Sequence, residues 1–450
     1  MKIIEKYLNI YSTRFEGELI EGLSSLSFHE GVALPLFGED VSHVRESLAC
    51  LRGAAEAAQK KAIAALVINQ RRNAKPEYKE KNQILLKDFE ADEKPFQIIQ
   101  DPFLTIVILN WTSPHLEFNE KEGVGLARKI GCDFLTLLTH KKILKTKWLS
   151  TTDADSRVAL DYFADENESD DENIPLKLMP YKHVFEHENG APLLDYDLWL
   201  RYYTLALRKT GSPFAFSCLG STLKISPLAY AKVRGFPNRL AAEDFHLASK
   251  LSKIGSVYHS KLSALTLIDR ASDRVPFGTG VGTAKIRNAS KENERLKFIH
   301  PDCFHLLERF ENECRDILGS DTFRLPDIPP CIEKELKLTS LVKTAYETRT
   351  SFKNRMLHFY STFDALKTLR FIHVAEKHIS PSIDYEEALR QLNPRYDFKH
   401  FSKEEVSANM AQDEYTSSPL GLGDFLFGSS GNQFYQKRTR EQNRPGHLNP

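Results

Sequence analysis

The chain has 450 residues, about three times the usual ~150-residue domain, so two or three domains or one large core with appendages are expected. Its 61 Lys+Arg balance 61 Asp+Glu, a formal net charge of zero that argues against whole-chain attraction to nucleic acid or an anionic membrane. With 41% hydrophobic and 10% aromatic residues there is ample material for a core, and wholesale disorder is excluded.

Residues 1–29 read as a helical lead-in, and the opening Met-Lys-Ile-Ile-Glu-Lys lacks the unbroken apolar stretch of a secretory signal. The first strand is Gly31-Val-Ala-Leu-Pro35, followed by Gly38-Glu39-Asp40. From about 42 to 62, Val44, Leu48, Leu51, Ala55 and Ala58 fall at helical spacing. The run Ala62–Ile68, ending at Asn69, predicts a second strand, and a lysine-rich loop over 71–81 leads to a third at Leu104–Leu109. The surrounding stretch, Phe103 to Trp111, is the longest apolar run at about nine residues. That is far below the ~20 that span a bilayer, so no integral membrane segment is expected.

Gly123 to Gly131 reads as a helix closed by glycine. A strand over Trp148–Thr152 ends in Asp153-Ala154-Asp155, and the acidic stretch 164–173 reads as a solvated loop lacking the glycine and final glutamate of an EF-hand. An amphipathic helix over Leu193–Arg208, a strand over Phe214–Cys218 and a helix ending at Gly235-Phe-Pro237 follow. Glu243-Asp244 opens the next helix, which runs to Gly255. Spaced apolar residues from about 300 to 410 read as helical, and 416–450, rich in Gly, Ser, Asn and Pro, as a mobile tail. Six scattered cysteines with no Cys-x-x-Cys suit reduced thiols and a cytoplasmic setting.

Alternating strands and helices predict an open, mostly parallel α/β sheet flanked by helices, with a C-terminal helical extension. Ligands of such sheets bind beyond the carboxyl ends of the strands. There, Asp153 and Asp155 share one face of an extended segment and suit a hard cation, Mn²⁺ or Mg²⁺, bridged to a diphosphate. Glu243-Asp244 at a helix start reads as N-terminal capping or as a general base for an acceptor hydroxyl. Arg270 and Arg274 precede Gly278, Gly280 and Gly282, a mobile loop suited to closing over phosphates or an ordinary surface loop. His183-Val-Phe-Glu186-His187 matches an inverted zincin pattern, but Pro180 and Pro192 leave room for only about two helical turns, which favours a polar loop.

Taken in order, Pro35-x-x-x-Glu39, the Lys121–Gly131 helix, Asp153-x-Asp155 and Gly235-Phe-Pro…Glu243-Asp244 resemble family 2 glycosyltransferases of the GT-A fold, over roughly residues 30–285. The resemblance implies sugar transfer from a nucleotide-sugar donor to a hydroxyl acceptor that the chain does not identify. It places Pro35 and Glu39 in the first nucleotide-contacting loop and Arg128 on a basic helix approaching the donor. It makes Asp153 and Asp155 the metal and diphosphate pair, Asp244 the base of an inverting reaction with Glu243 beside it, and His259 a late metal ligand. Asn69 and Asn110 end strands where the family usually carries aspartates, and the Gln-x-x-Arg-Trp signature of processive synthases is absent, which implies single transfers. Residues 30–290 then form the transferase domain and 291–415 a helical extension open to oligomer formation. The alternatives are a nucleotidyltransferase, which the lack of arginine in Pro35–Asp40 disfavours, and a degenerate sugar-nucleotide-binding scaffold.

Overall fold

The computed structural model describes residues 2–92, 94–166, 173–184, 191–268, 286, 296–416 and 422. Apolar runs buried on both faces form parallel strands. β1 (Glu30–Leu36), β2 (Ala62–Asn69) and β4 (Leu104–Trp111) pair in parallel, and all eight residues of β2 are buried. With β3 (Phe96–Ile99), β5 (Leu149–Thr151), β7 (Leu176–Leu178), β9 (Leu223–Ile225) and β10 (Val257–His259) they make one eight-stranded sheet, ordered β10-β7-β9-β5-β1-β2-β4-β3. Only β3 and β9 run against their neighbours. The architecture is thus a mixed α/β fold with a mostly parallel central sheet flanked by helices.

Pro35 lies inside β1 rather than in the loop after it. The strand tolerates it because Ala33 C=O, which accepts from Thr152 N–H at 3.1 Å, marks the side facing β5. Pro35 faces that same side, and β5 has already ended at Thr151, so no ladder bond is lost.

One sheet face is covered by α1 (Lys2–Ile10), α2 (Gly17–Leu23), α5 (Val124–His140), α7 (Pro227–Lys232) and α8 (Glu243–Leu251). The other is covered by α3 (Val41–Ala57), α4 (Pro76–Asp88) and the segment carrying Val158, Tyr162 and Phe163. A small sheet, β6 (Ser156–Arg157), β11 (Leu265–Ile268) and β8 (Tyr181–Val184), starts one residue after Asp155. A separate apolar core gathers α6 (Ala191–Lys209) with α9 (Pro301–Gly319), α10 (Pro330–Leu336), α11 (Leu338–Glu347), α12 (Phe352–Thr362), α13 (Ala365–His378), α14 (Tyr385–Leu392) and α15 (Lys403–Tyr415). No helix among the described residues is long and apolar enough to cross a membrane.

Several expected elements change. The loop expected over 71–81 contains the start of α4, a largely polar helix that begins at Pro76 and buries only Asn82, Leu85 and Leu86. Phe214–Cys218 forms no strand; Phe214 and Ala215 bury instead in the helical core, and the strand is β9. A short apolar run does not by itself distinguish a strand from a buried coil. Gly131 does not close its helix: a Cβ there would stand 2.7 Å from Ala33 Cβ, so this glycine lets α5 lie close on β1 and the helix continues to His140. The helix opened by Glu243 stops at Leu251, and Gly255 packs against Asn173 O. The acidic stretch is not wholly solvated. Asp165 pairs with Lys60 at 2.8 Å and Glu166 with buried Lys177 at 2.6 Å.

Candidate functional site

The carboxyl edge of β5 runs through buried Thr152 into Asp153-Ala154-Asp155. Buried Ala154 anchors the turn, Ser156 N–H donates to Asp153 O at 3.1 Å, and Ile268 N–H donates to Asp155 O at 2.9 Å. The two aspartates are therefore held from both sides, by the main sheet and by the small one.

Arg128, on α5, reaches this edge. Its Nη2 donates to Asp153 Oδ2 at 3.0 Å, its Nη1 to Gly220 O at 3.0 Å and its Nε to Glu243 Oε1 at 2.8 Å. Close packing makes that reach possible. A Cβ on Gly125 would meet Pro237 O at 2.6 Å, and one on Gly220 would meet Arg128 Nη2 at 2.3 Å. Residues 237–242 thus lie against the start of α5 and deliver Glu243 and Asp244 to the head of α8. Ala242, just before them, has φ +60, a strained left-handed conformation for a side chain with a Cβ.

Burial opposes the Arg128 charge, and Asp153 and Glu243 outweigh it. Glu243, 3% exposed, is paired with Arg128 through this contact. Asp244 accepts Phe245 N–H at 2.7 Å, and burial, then the neighbouring Glu243, raises its carboxyl to about 7. A carboxylate titrating there can take a proton near neutral pH. The two acidic segments, from residues 153 and 243, therefore meet around one guanidinium.

Glu39 is buried just beyond β1, behind Gly38 at φ +62, whose N–H donates to Asn82 Oδ1 at 2.9 Å. Arg270 and Arg274 lie outside the described residues. His259 is not brought to the aspartates. It sits on β10, three strands from β5, 3% exposed, with no hydrogen bond to either ring nitrogen and Tyr415 at 5.7 Å. Burial and then Arg208 lower its pKa to about 3. His183 is on strand β8, where i and i+4 do not share a helical face, and its Nδ1 meets Asp197 at 2.9 Å. Glu186 and His187 lie outside the described residues.

No group of three His, Cys, Asp or Glu able to hold a metal occurs among the described residues. Asp153 and Asp155 supply hard oxygen donors at the strand edge, and Asp153 keeps 29% of its side chain exposed while paired with Arg128. That donor set fits Mn²⁺ or Mg²⁺, which take one or two protein carboxylates and complete their shell with phosphate and water.

Asn69 and Asn110 serve the scaffold. Asn69 Nδ2 donates to Leu36 O at 3.0 Å and Val67 O at 3.2 Å. Asn110 bonds Lys94 O at 3.0 Å and Thr112 Oγ1 at 2.8 Å. Sequence reasoning missed Gly220 and Cys218. Gly220 O accepts from both Arg128 and Thr151, and the Cys218 thiol is held well above its usual range by burial and then Asp244. Nothing in the sequence links Gly220 to residue 128.

No family model matches the chain, and no curated protein matches it by sequence. Among solved structures, Staphylococcus aureus TarS 1-349 with UDP-GlcNAc is similar at 10% identity and TM-score 0.32, over 86% of this chain and 91% of that one. A mannosyltransferase from Pyrobaculum calidifontis, PcManGT, in complex with GDP-Man and Mn²⁺, is similar at 12% identity and TM-score 0.32, over 92% of each chain. Likenesses this distant say nothing about which residues act.

Proposed function

We propose that the chain is a glycosyltransferase that moves a sugar from a nucleotide-sugar donor to a hydroxyl acceptor, inverting the anomeric centre, one transfer per encounter, with residues 30–290 as the transferase unit. The observation that supports this reading is the chain Asp153–Arg128–Glu243, which brings the two acidic segments together beside an Asp244 carboxyl raised to about 7. In this reading Asp153 and Asp155 would hold Mn²⁺ or Mg²⁺, which when bound offsets charge on the departing diphosphate.

Asp244 takes the proton from the attacking hydroxyl, its pKa placing it ready to do so at neutral pH. Arg128 lies between Glu243 and Asp153 and bonds both, so the two carboxylates do not face one another directly. Asp244→Asn is the test. It removes the base while preserving size, so donor binding by thermal shift should persist while turnover falls ~10²–10⁴-fold. Unchanged turnover excludes Asp244 as the base.

A further inference from the structure

We infer that the surface made by α1 and the turn between α7 and α8 docks the chain on an anionic lipid bilayer, independently of the transferase reading. Zero net charge over the whole chain leaves room for a local surplus, and this surface carries one. Arg234, Arg239 and Lys250 are exposed, and none of them pairs with a carboxylate among the described residues. The nearby acid, Asp364, is taken by Lys253 at 3.1 Å.

The three cations stand close together. Lys250 Nζ donates to Val233 O at 3.4 Å, beside Arg234. Burial, then Arg234, Arg239 and Lys253, lower the Lys250 pKa. Cations that repel one another in this way gain from an anion brought from outside. The turn that carries Arg234 is fixed to α1: Arg234 has φ +66, and a Cβ added to Gly235 would collide with Tyr7 Oη. The Arg234 guanidinium lies 4.9 Å from the ring centroid of Tyr11, the residue after α1.

α1 adds apolar groups to the same surface. Tyr7 and Leu8 are buried, whereas Ile3 and Ile10, at i and i+7 on one face, stay 43% and 60% exposed. Exposed Lys6 falls between them, and Glu5, the one acid of α1, falls on the opposite face. Exposed Arg14 turns back to donate to Asn9 O at 2.6 Å.

A soluble polyanion would engage the cations and gain little from exposed isoleucines. A folded partner would need a contour that matches this one. A bilayer interface takes both kinds of group without a fixed spacing: headgroup phosphates meet the cations, and separate apolar side chains enter the acyl boundary.

The test is flotation of the full chain with vesicles of phosphatidylcholine alone, or of two parts phosphatidylcholine to one part phosphatidylglycerol, beside binding to heparin as a soluble polyanion. The expected result is binding to the anionic vesicles only, lost in ~0.5 M salt. Each cation near an anionic surface is worth about fivefold, so the triple variant Arg234→Asn, Arg239→Gln, Lys250→Gln should bind roughly a hundredfold more weakly. Asparagine at 234 suits the left-handed backbone there. Ile10→Ser keeps every charge and should weaken vesicle binding about tenfold while leaving heparin binding unchanged. No binding to anionic vesicles, equal binding to both vesicle types, or full binding by the triple variant overturns the inference. Vesicle binding by Ile10→Ser equal to that of the parent chain assigns the cations to a soluble polyanion and overturns the bilayer.

Discussion

Arg128 is the residue on which the two acidic segments depend. It is 4% exposed and paired to a carboxylate from each, so removing it strands Asp153 and Glu243 in a poorly solvated setting. Arg128→Ala is expected to destabilise the protein by about 3–5 kcal/mol, read as an earlier denaturant midpoint, and to abolish turnover. In the proposed reaction Asp244 would set the pH dependence. Its folded pKa, about 7, lies above the ordinary carboxylate value, so the base form is scarce at pH 5 and predominant at pH 8. Initial rates should rise about tenfold per pH unit below 7 and level off above it. A flat profile from pH 5.5 to 8 removes this carboxylate as the base.

At the scale of elements, the site exists because α5 lies unusually close to β1 and to the loop before α8. Gly131 sets the first approach, and Gly123 and Gly125 the second. Gly131→Val puts a branched side chain where even a Cβ meets Ala33 Cβ at 2.7 Å. It should cost about 1–3 kcal/mol through overpacking and, because Arg128 sits one turn away, lower turnover as well. Calorimetry and rate measured on one preparation check both. The strong strands and long amphipathic helices were readable from apolar periodicity. The polar helix α4, the edge strand β3 and the three-residue β9 were not, because their stability comes from neighbours rather than from a repeat of their own.

At the scale of the molecule, the helices after residue 296 share one core with α6, and that core holds a titrating group of its own. Glu311, on α9, is 1% exposed, and burial, against the weaker opposing pull of Arg315, raises its pKa to about 8. The folded chain therefore holds a proton that the unfolded chain releases near 4.5. This contribution is full below that value and is lost as pH climbs to about 8, at up to ~1.4 kcal/mol per pH unit. Glu311→Gln should be the more stable protein at pH 9 and should flatten the slope between pH 6 and 9 in urea melts. Equal slopes would mean Glu311 is ionised or hydrated in the folded state. Within that core Arg201 Nε and Nη1 bond Asp197 at 2.8 Å and Glu414 at 2.9 Å, tying α6 to α15.

By itself the sequence determined the alternation of buried strands and helices, the placement of Asp153 and Asp155 after a strand, and Glu243 and Asp244 at the head of a helix. These follow from local periodicity and turn chemistry, which neighbouring residues carry in full. Only the tertiary structure decided that Arg128 joins the two acidic segments, that β1 runs on past Pro35, that His259 stays apart from the aspartates, and that Asn69 and Asn110 bond the backbone. Each of these is a contact between segments distant along the chain. Chain spacing does not encode such contacts, because packing density and the need to pair buried polar groups select them only once the sheet has formed.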